Sequence, residues 1–133
     1  MVNIRHDVIG IGNAIVDVIA RADDDFLVRH QMVKGGMSLI DEARAEAIYT
    51  AMGPAREISG GSAANTIAGI ASFGGRAAFI GTVKDDGLGK VFSHDIRAAG
   101  VSFEVTPIKD GPSTARSYIL VTPDGERTMN TYL

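Results

Sequence analysis

No cysteine occurs among the 133 residues, which excludes disulfides and thiolate chemistry and suits a reducing compartment. Basic residues form no block. Thirteen Lys and Arg are interspersed with sixteen Asp and Glu for a net charge of −3, so a nucleic-acid partner has no electrostatic support. His6, His30 and His94 are scattered, and no His-based metal site can be argued from them. No apolar run approaches the ~20 residues a membrane-spanning helix needs. Near the start, Arg5 and His6 precede an apolar stretch, and Ala20-Arg21-Ala22 imitates a signal-peptide cleavage site. Asp7, Asn13 and Asp17 interrupt that stretch and two glycines shorten it, so the expectation is a buried strand and a cytoplasmic chain. Internal repeats and low-complexity segments are also missing.

Two phosphate-binding motifs fail. Gly10-x-Gly12 needs a third glycine at position 15 to open a dinucleotide-binding helix, but Ile15 begins the β-type run Ile-Val-Asp-Val-Ile. Gly87-x-Gly89-Lys90 is no P-loop, because Lys84 replaces the first glycine and Val91 replaces the Ser or Thr.

What the chain does have is 45% hydrophobic residues, enough for a modest core, and a small-residue stretch at its centre. Arg56-Glu57-Ile58-Ser59 reads as a short strand, and Gly60-Gly61-Ser62-Ala63-Ala64-Asn65 turns it into a helix marked by Ile67, Ile70, Ala71 and Phe73. Such a corner offers unpaired backbone N–H groups, the positive end of a helix and no obstructing side chains. It suits a polar small molecule. A tight turn that merely needs glycine is the plainer alternative.

Asp17 is the second anomaly, a carboxylate between Val16 and Val18. A buried charge must be paired, hydrogen-bonded or turned to a ligand, unless strand alternation points it to solvent. Met37 and Leu39 share a face if they lie on a strand, as core or as the cover of an apolar ring. Asp23-Asp24-Asp25 reads as a solvated loop or helix start. Asp41 caps a helix to Met52 with a core stripe of Ala47, Ile48 and Ala51, Arg44 and Glu46 facing solvent. Ala77–Val83 reads as a buried strand, and Leu88, Val91, Phe92, Ile96 and Ala99 define a second amphipathic helix. Three further strands are expected at Val101–Ile108, Thr114–Val121 and Arg127–Leu133, the last two joined through Pro123-Asp124-Gly125. The last has no polar tail, so the chain is expected to stop in mid-element.

Gly12-Asn13-x-x-x-Asp17, the Gly60-Gly61-x-x-x-Asn65 corner, Gly75, and Phe79-Ile80-Gly81-x-Val83-x-x-Asp86-x-x-Gly89 together resemble the amino-terminal half of the ribokinase-like (PfkB-type) sugar and nucleoside kinases. The start Gly-Asn-Ala-Ile-Val-Asp and the hairpin Gly-Glu-Arg-Thr-Met look most like the adenosine-kinase-like branch. The resemblance implies an α/β, three-layer fold with a small β-sheet lid. It makes residues 1–133 the N-terminal part of one such domain, with lid strands around 14–20, 32–40 and 101–130. It implies that Asp17 accepts hydrogen bonds from sugar hydroxyls, that Gly60, Gly61 and Asn65 close on the same sugar, and that Asn13 makes a nearby contact. Met37 and Leu39 would cover a nucleobase, and Arg127 would approach the transferred phosphate. ATP and Mg²⁺ are the implied cofactors and a small sugar or nucleoside the partner, with a possible homodimer through the lid. The family's catalytic Asp lies in a Gly-Ala-Gly-Asp motif that does not occur here, so no catalytic residue is assigned. The expectation is the acceptor-binding half of a kinase acting on a primary hydroxyl, inactive by itself. A non-catalytic sugar- or nucleoside-binding module is the alternative.

Overall fold

A computed structural model describes residues 4–133. The elements are β1 (Val8–Ile11), β2 (Ile15–Arg21), α1 (Asp24–Arg29), β3 (Met37–Leu39), α2 (Glu42–Ala51), β4 (Ala55–Gly60), α3 (Ser62–Ser72), β5 (Ala77–Ile80), α4 (Gly87–Ala98), β6 (Ala115–Val121) and β7 (Arg127–Tyr132). They fall into two compact units. One is the chain up to Val16 together with Ile58–Thr114; the other is Asp17–Glu57 together with Ala115–Leu133.

In the first unit β1 and β5 pair in parallel, Val8 opposite Ala77 through Ile11 opposite Ile80. Helix α3 packs on both strands with Ala64 and Ile67 buried. Glycine makes that approach possible: a Cβ on Gly10 would come within 2.5 Å of the Ile67 side chain. Helix α4 starts where the Asp86 carboxylate accepts from the Gly89 N–H at 2.7 Å, and it buries Phe92 and Ile96. The rings of Phe92 and Phe103 lie 5.9 and 6.2 Å from that of Phe79 and knit the core. Val101–Ile108, expected as one strand, forms only single bridges, Ser102 to Ala78 and Ile108 to Lys84. Val101 and Phe103 point inward and mimic strand alternation, but the Phe103 carbonyl accepts from Arg97 Nε at 2.8 Å instead of joining a ladder.

The second unit is built on a five-stranded sheet in the order β3-β7-β6-β2-β4. Strands β6 and β7 form the expected hairpin, with Gly125 at φ 85° and its N–H donating to the Thr122 carbonyl at 2.8 Å. Strand β3 runs parallel to β7. The acidic run after Arg21 is a helix start: Asp23 caps α1 by accepting from the Phe26 N–H. Helix α2 lies against β6 and β7, but its core stripe differs from the expected one. Ala45 and Ile48 are buried, whereas Ala47 and Ala51 are exposed. Nor do Arg44 and Glu46 simply face solvent. Arg44 donates to the His30 carbonyl, and Glu46 accepts from the buried Arg116 at 2.7 Å. Arg116 also meets the Tyr118 hydroxyl at 3.0 Å and lies over the Tyr132 ring.

Candidate functional site

In the first unit the expected corner forms at the end of β4 and the start of α3. Gly60 is buried, and Gly61 takes φ 93° and ψ 140°, a conformation that side chains rarely tolerate. A Cβ there would also lie 2.9 Å from the Asn13 carbonyl oxygen. Glycine is therefore required twice over, by backbone angle and by close approach. Two further glycines complete the bare surface. A Cβ on Gly12 would meet the Cβ of Ala63 at 2.9 Å, and one on Gly81 would meet the Gly12 carbonyl oxygen at 2.6 Å. The reading of the chain gave Gly12 and Gly81 no pocket role; the available signal was a glycine ending each of two apolar runs.

The first helical hydrogen bond of α3 runs from the Asn65 N–H to the Gly61 carbonyl at 2.9 Å, and no side chain caps the helix. The N–H groups of Ser62, Ala63 and Ala64 thus lack helical acceptors, at the positive end of the peptide dipoles. Asn13 and Asn65 are exposed, and neither carboxamide has a hydrogen bond among the described residues. The corner lies beyond the carboxyl ends of β1 and β5, where parallel α/β sheets hold their ligands. Its chemistry is that of donors waiting for hydroxyl or anionic oxygens.

In the second unit Asp17 sits on β2 between the buried Val16 and Val18, on the alternate, half-buried side with Ile15 and Ile19. It makes no hydrogen bond among the described residues. Burial pushes its carboxyl above the usual carboxylate range, and the charge of Arg127 partly opposes that rise. The register places Met37 opposite Met129, and Leu39 opposite Thr131. Met37, Leu39 and Arg127 therefore share one sheet face, opposite the one that carries Arg116, Tyr118 and α2. Met37 and Leu39 are 58% and 68% exposed, so they are not core residues of this chain. The structure thus brings Asn13, Gly60, Gly61 and Asn65 together in one unit. It groups Met37, Leu39 and Arg127 on a face of the other, with Arg127 near enough to act on Asp17.

Among the described residues no three His, Asp or Glu side chains gather as a metal-binding set. Asp23, Asp24 and Asp25 are no exception. No P-loop occurs in the sequence either, and neither Mg²⁺ nor a nucleotide triphosphate is assigned to side chains of this chain. No helix of the described residues is long and apolar enough to cross a membrane.

A parallel strand pair backed by helices, with a glycine corner at its carboxyl end, defines an α/β protein. Residues 40–133 match the model of the pfkB family of carbohydrate kinases, and the chain belongs to that family. Its fold is that of the ribokinase-like kinases. Adenosine kinase from Sinorhizobium meliloti is similar at 61% identity and a TM-score of 0.89, over 98% of this chain and 40% of that one. A structure described as a "probable sugar kinase protein" from Rhizobium etli CFN 42 is similar at 57% identity and a TM-score of 0.89, over 97% of this chain and 39% of that one. Among curated relatives, the ATP-dependent ribose-1-phosphate kinase of Halopiger xanaduensis is 42% identical over 71 residues, 53% of this chain and 24% of its own length. The chain thus spans well under half of the relatives it matches.

Proposed function

We propose that the chain is the acceptor-binding portion of an ATP-dependent kinase that phosphorylates a primary hydroxyl of a sugar or nucleoside. The observation that carries the reading is Asp17, a half-buried carboxylate with no protein hydrogen bond in a chain of the pfkB family. Retaining such a group costs stability unless a ligand uses it. In this reading Asp17 accepts hydrogen bonds from acceptor hydroxyls. The bare N–H groups after Gly61, with Gly60, Asn13 and Asn65, hold the acceptor's oxygens. In the same reading Met37 and Leu39 cover the apolar part of the acceptor, and Arg127 offsets charge on the transferred phosphoryl group. A nucleoside acceptor is favoured by the apolar, exposed lid face and by the 61% identity to an adenosine kinase.

ATP and Mg²⁺ supply the phosphoryl group and its charge neutralisation when bound by a complete kinase. The contribution of this chain is to bind and orient the acceptor, a large share of catalysis in such displacements. We also place the protein in the cytoplasm, consistent with its lack of cysteine, and regard lid-to-lid pairing of two copies as compatible with the exposed Met37 and Leu39. The test uses a chain extended to the length of its relatives. That protein should phosphorylate adenosine or a related sugar, and Asp17→Ala should lower kcat/KM by about 10²-fold or more. Unchanged phosphorylation by the variant would remove Asp17 from the site. The alternative reading is a module that binds sugar or nucleoside without transfer. Calorimetric binding of adenosine by the 133-residue chain, with no turnover in the longer one, would select it.

A further inference from the structure

Helix α4 buries Phe92, Ser93 and Ile96 and turns a basic stripe away from them. Lys90, His94 and Arg97 follow one another at spacings of four and three, which puts them on one side of the helix. That side forms one wall of a cavity of about 670 Å³, within the range of small-molecule sites. The other wall is the Lys84-Asp85 turn with Pro107. Backbone bonds hold that wall together, from the Ile108 N–H to the Val83 carbonyl at 2.9 Å and from the Asp85 N–H to the Ile108 carbonyl at 2.8 Å. Every lining residue lies between Lys84 and Pro107 in the first unit, so one stretch of chain builds the cavity.

Charge in the cavity is unbalanced. Lys84, Lys90 and Arg97 form no ion pair among the described residues. Two of them are held in place by neutral acceptors: Lys84 Nζ donates to the Gly111 carbonyl at 2.9 Å, and Arg97 Nε to the Phe103 carbonyl at 2.8 Å. Asp85 is the one carboxylate among the described lining residues. Asp86 lies close to Lys84 but commits its oxygens to Gly89 and Thr114. An excess of cations thus lines one cavity of a chain whose net charge is −3. The rise of the helix sets Lys90 and Arg97 about 10 Å apart, so the positive charge is spread along the cavity and not gathered at a point. Ala98 and Pro107 add apolar surface.

We propose that this cavity binds a small metabolite carrying two separated phosphoryl groups, as in a sugar bisphosphate, with Lys84, Lys90 and Arg97 as its cationic partners. Lysine and arginine both make strong charge-assisted bonds to phosphate, and two of these three are already positioned. The cavity is distinct from the glycine corner. Asp95, about 140° round α4 from Lys90, accepts from the Ser59 N–H at 2.7 Å, and Ser59 directly precedes Gly60 and Gly61. The metabolite therefore binds one side of a helix whose other side steadies the corner. The inference needs neither a choice of acceptor nor phosphotransfer by this chain.

The test titrates the 133-residue chain with fructose 1,6-bisphosphate by calorimetry, at low and at physiological ionic strength. One-to-one binding is expected, tighter than that of inorganic phosphate or pyrophosphate by about tenfold or more, and weakened by salt. In proton NMR the ring signals of His94 should shift in step with the titration while those of His6 and His30 stay in place. Lys90→Gln removes an exposed cation whose side chain has no hydrogen bond among the described residues. The melting transition should therefore hold, and the affinity should fall about tenfold. Arg127→Gln, in the other unit, should bind the bisphosphate as the parent does. Absence of binding would overturn the proposal, as would equal affinity for inorganic phosphate or pyrophosphate, a silent His94, or full affinity in Lys90→Gln. Affinity lost in Arg127→Gln and kept in Lys90→Gln would also overturn it, and would count in favour of the acceptor site proposed above.

Discussion

Asp17 is where stability and use pull apart. Its carboxyl is raised by burial, so the folded chain binds the proton more tightly than the unfolded one. That stabilisation is complete below the unfolded value of about 4 and is lost as pH rises through the raised folded value. At neutral pH the ionised side chain is therefore a cost. Asp17→Asn should melt at a higher temperature than the parent near pH 7, and the gain should vanish near pH 3 in a melting series against pH. The same variant should bind acceptor more weakly, because an amide offers one acceptor oxygen where the carboxylate offers two. A variant less stable at pH 7 would mean that the carboxylate has a compensating partner in the folded chain.

At the scale of elements, Asp86 does more than begin α4. Its Oδ1 accepts from the Gly89 N–H and from the Thr114 hydroxyl, each at 2.7 Å, and its Oδ2 from the Thr114 N–H at 2.9 Å. Thr114 Oγ1 in turn accepts from the Lys84 N–H at 3.0 Å, so one carboxylate fastens a turn, a helix start and the approach to β6. Burial raises the Asp86 carboxyl, but the bonds from Thr114 and Gly89 outweigh it and leave it below the usual range. This contribution is present above the unfolded value and is lost as pH falls. Asp86→Ala should cost about 2 kcal/mol near pH 7 in urea titrations, a cap plus a part-buried hydrogen bond, and less as pH falls through the lowered folded value. Combined with Thr114→Val it should cost less than the two single changes together, since both break the same bonds.

The helix cap at Asp41, the glycine corner and the β6–β7 hairpin were all legible, because each is dictated by residues within a few positions. Gly61 was readable because no other residue suits its backbone angles. The α2 stripe was misjudged because alanines carry little periodic signal, and of the candidates only Ile48, with Ala45, turns to β6 and β7. Val101–Ile108 was misjudged because inward alternation speaks of burial and not of pairing. On the sheet face of the second unit, the exposure of Met37 and Leu39 followed from no local rule, since it depends on the pairing of β3 with β7.

Across the whole molecule, the first unit is interrupted by Asp17–Glu57, and the second is closed only by Ala115–Leu133. The opening strand finds its mate far downstream, as does Asp7, which is tied to Arg76 across 69 positions. A truncation ending before Arg76 should show no exchange protection at Val8 or Gly10, since the Val8 amide donates to the Arg76 carbonyl and the Gly10 amide faces β5. Newly made protein emerges from the ribosome at about 5–20 residues per second. For some seconds of every synthesis the sticky leading segment is thus outside the tunnel with nothing to bind. The pairing of β1 waits until Ala77–Ile80 has left the ribosome.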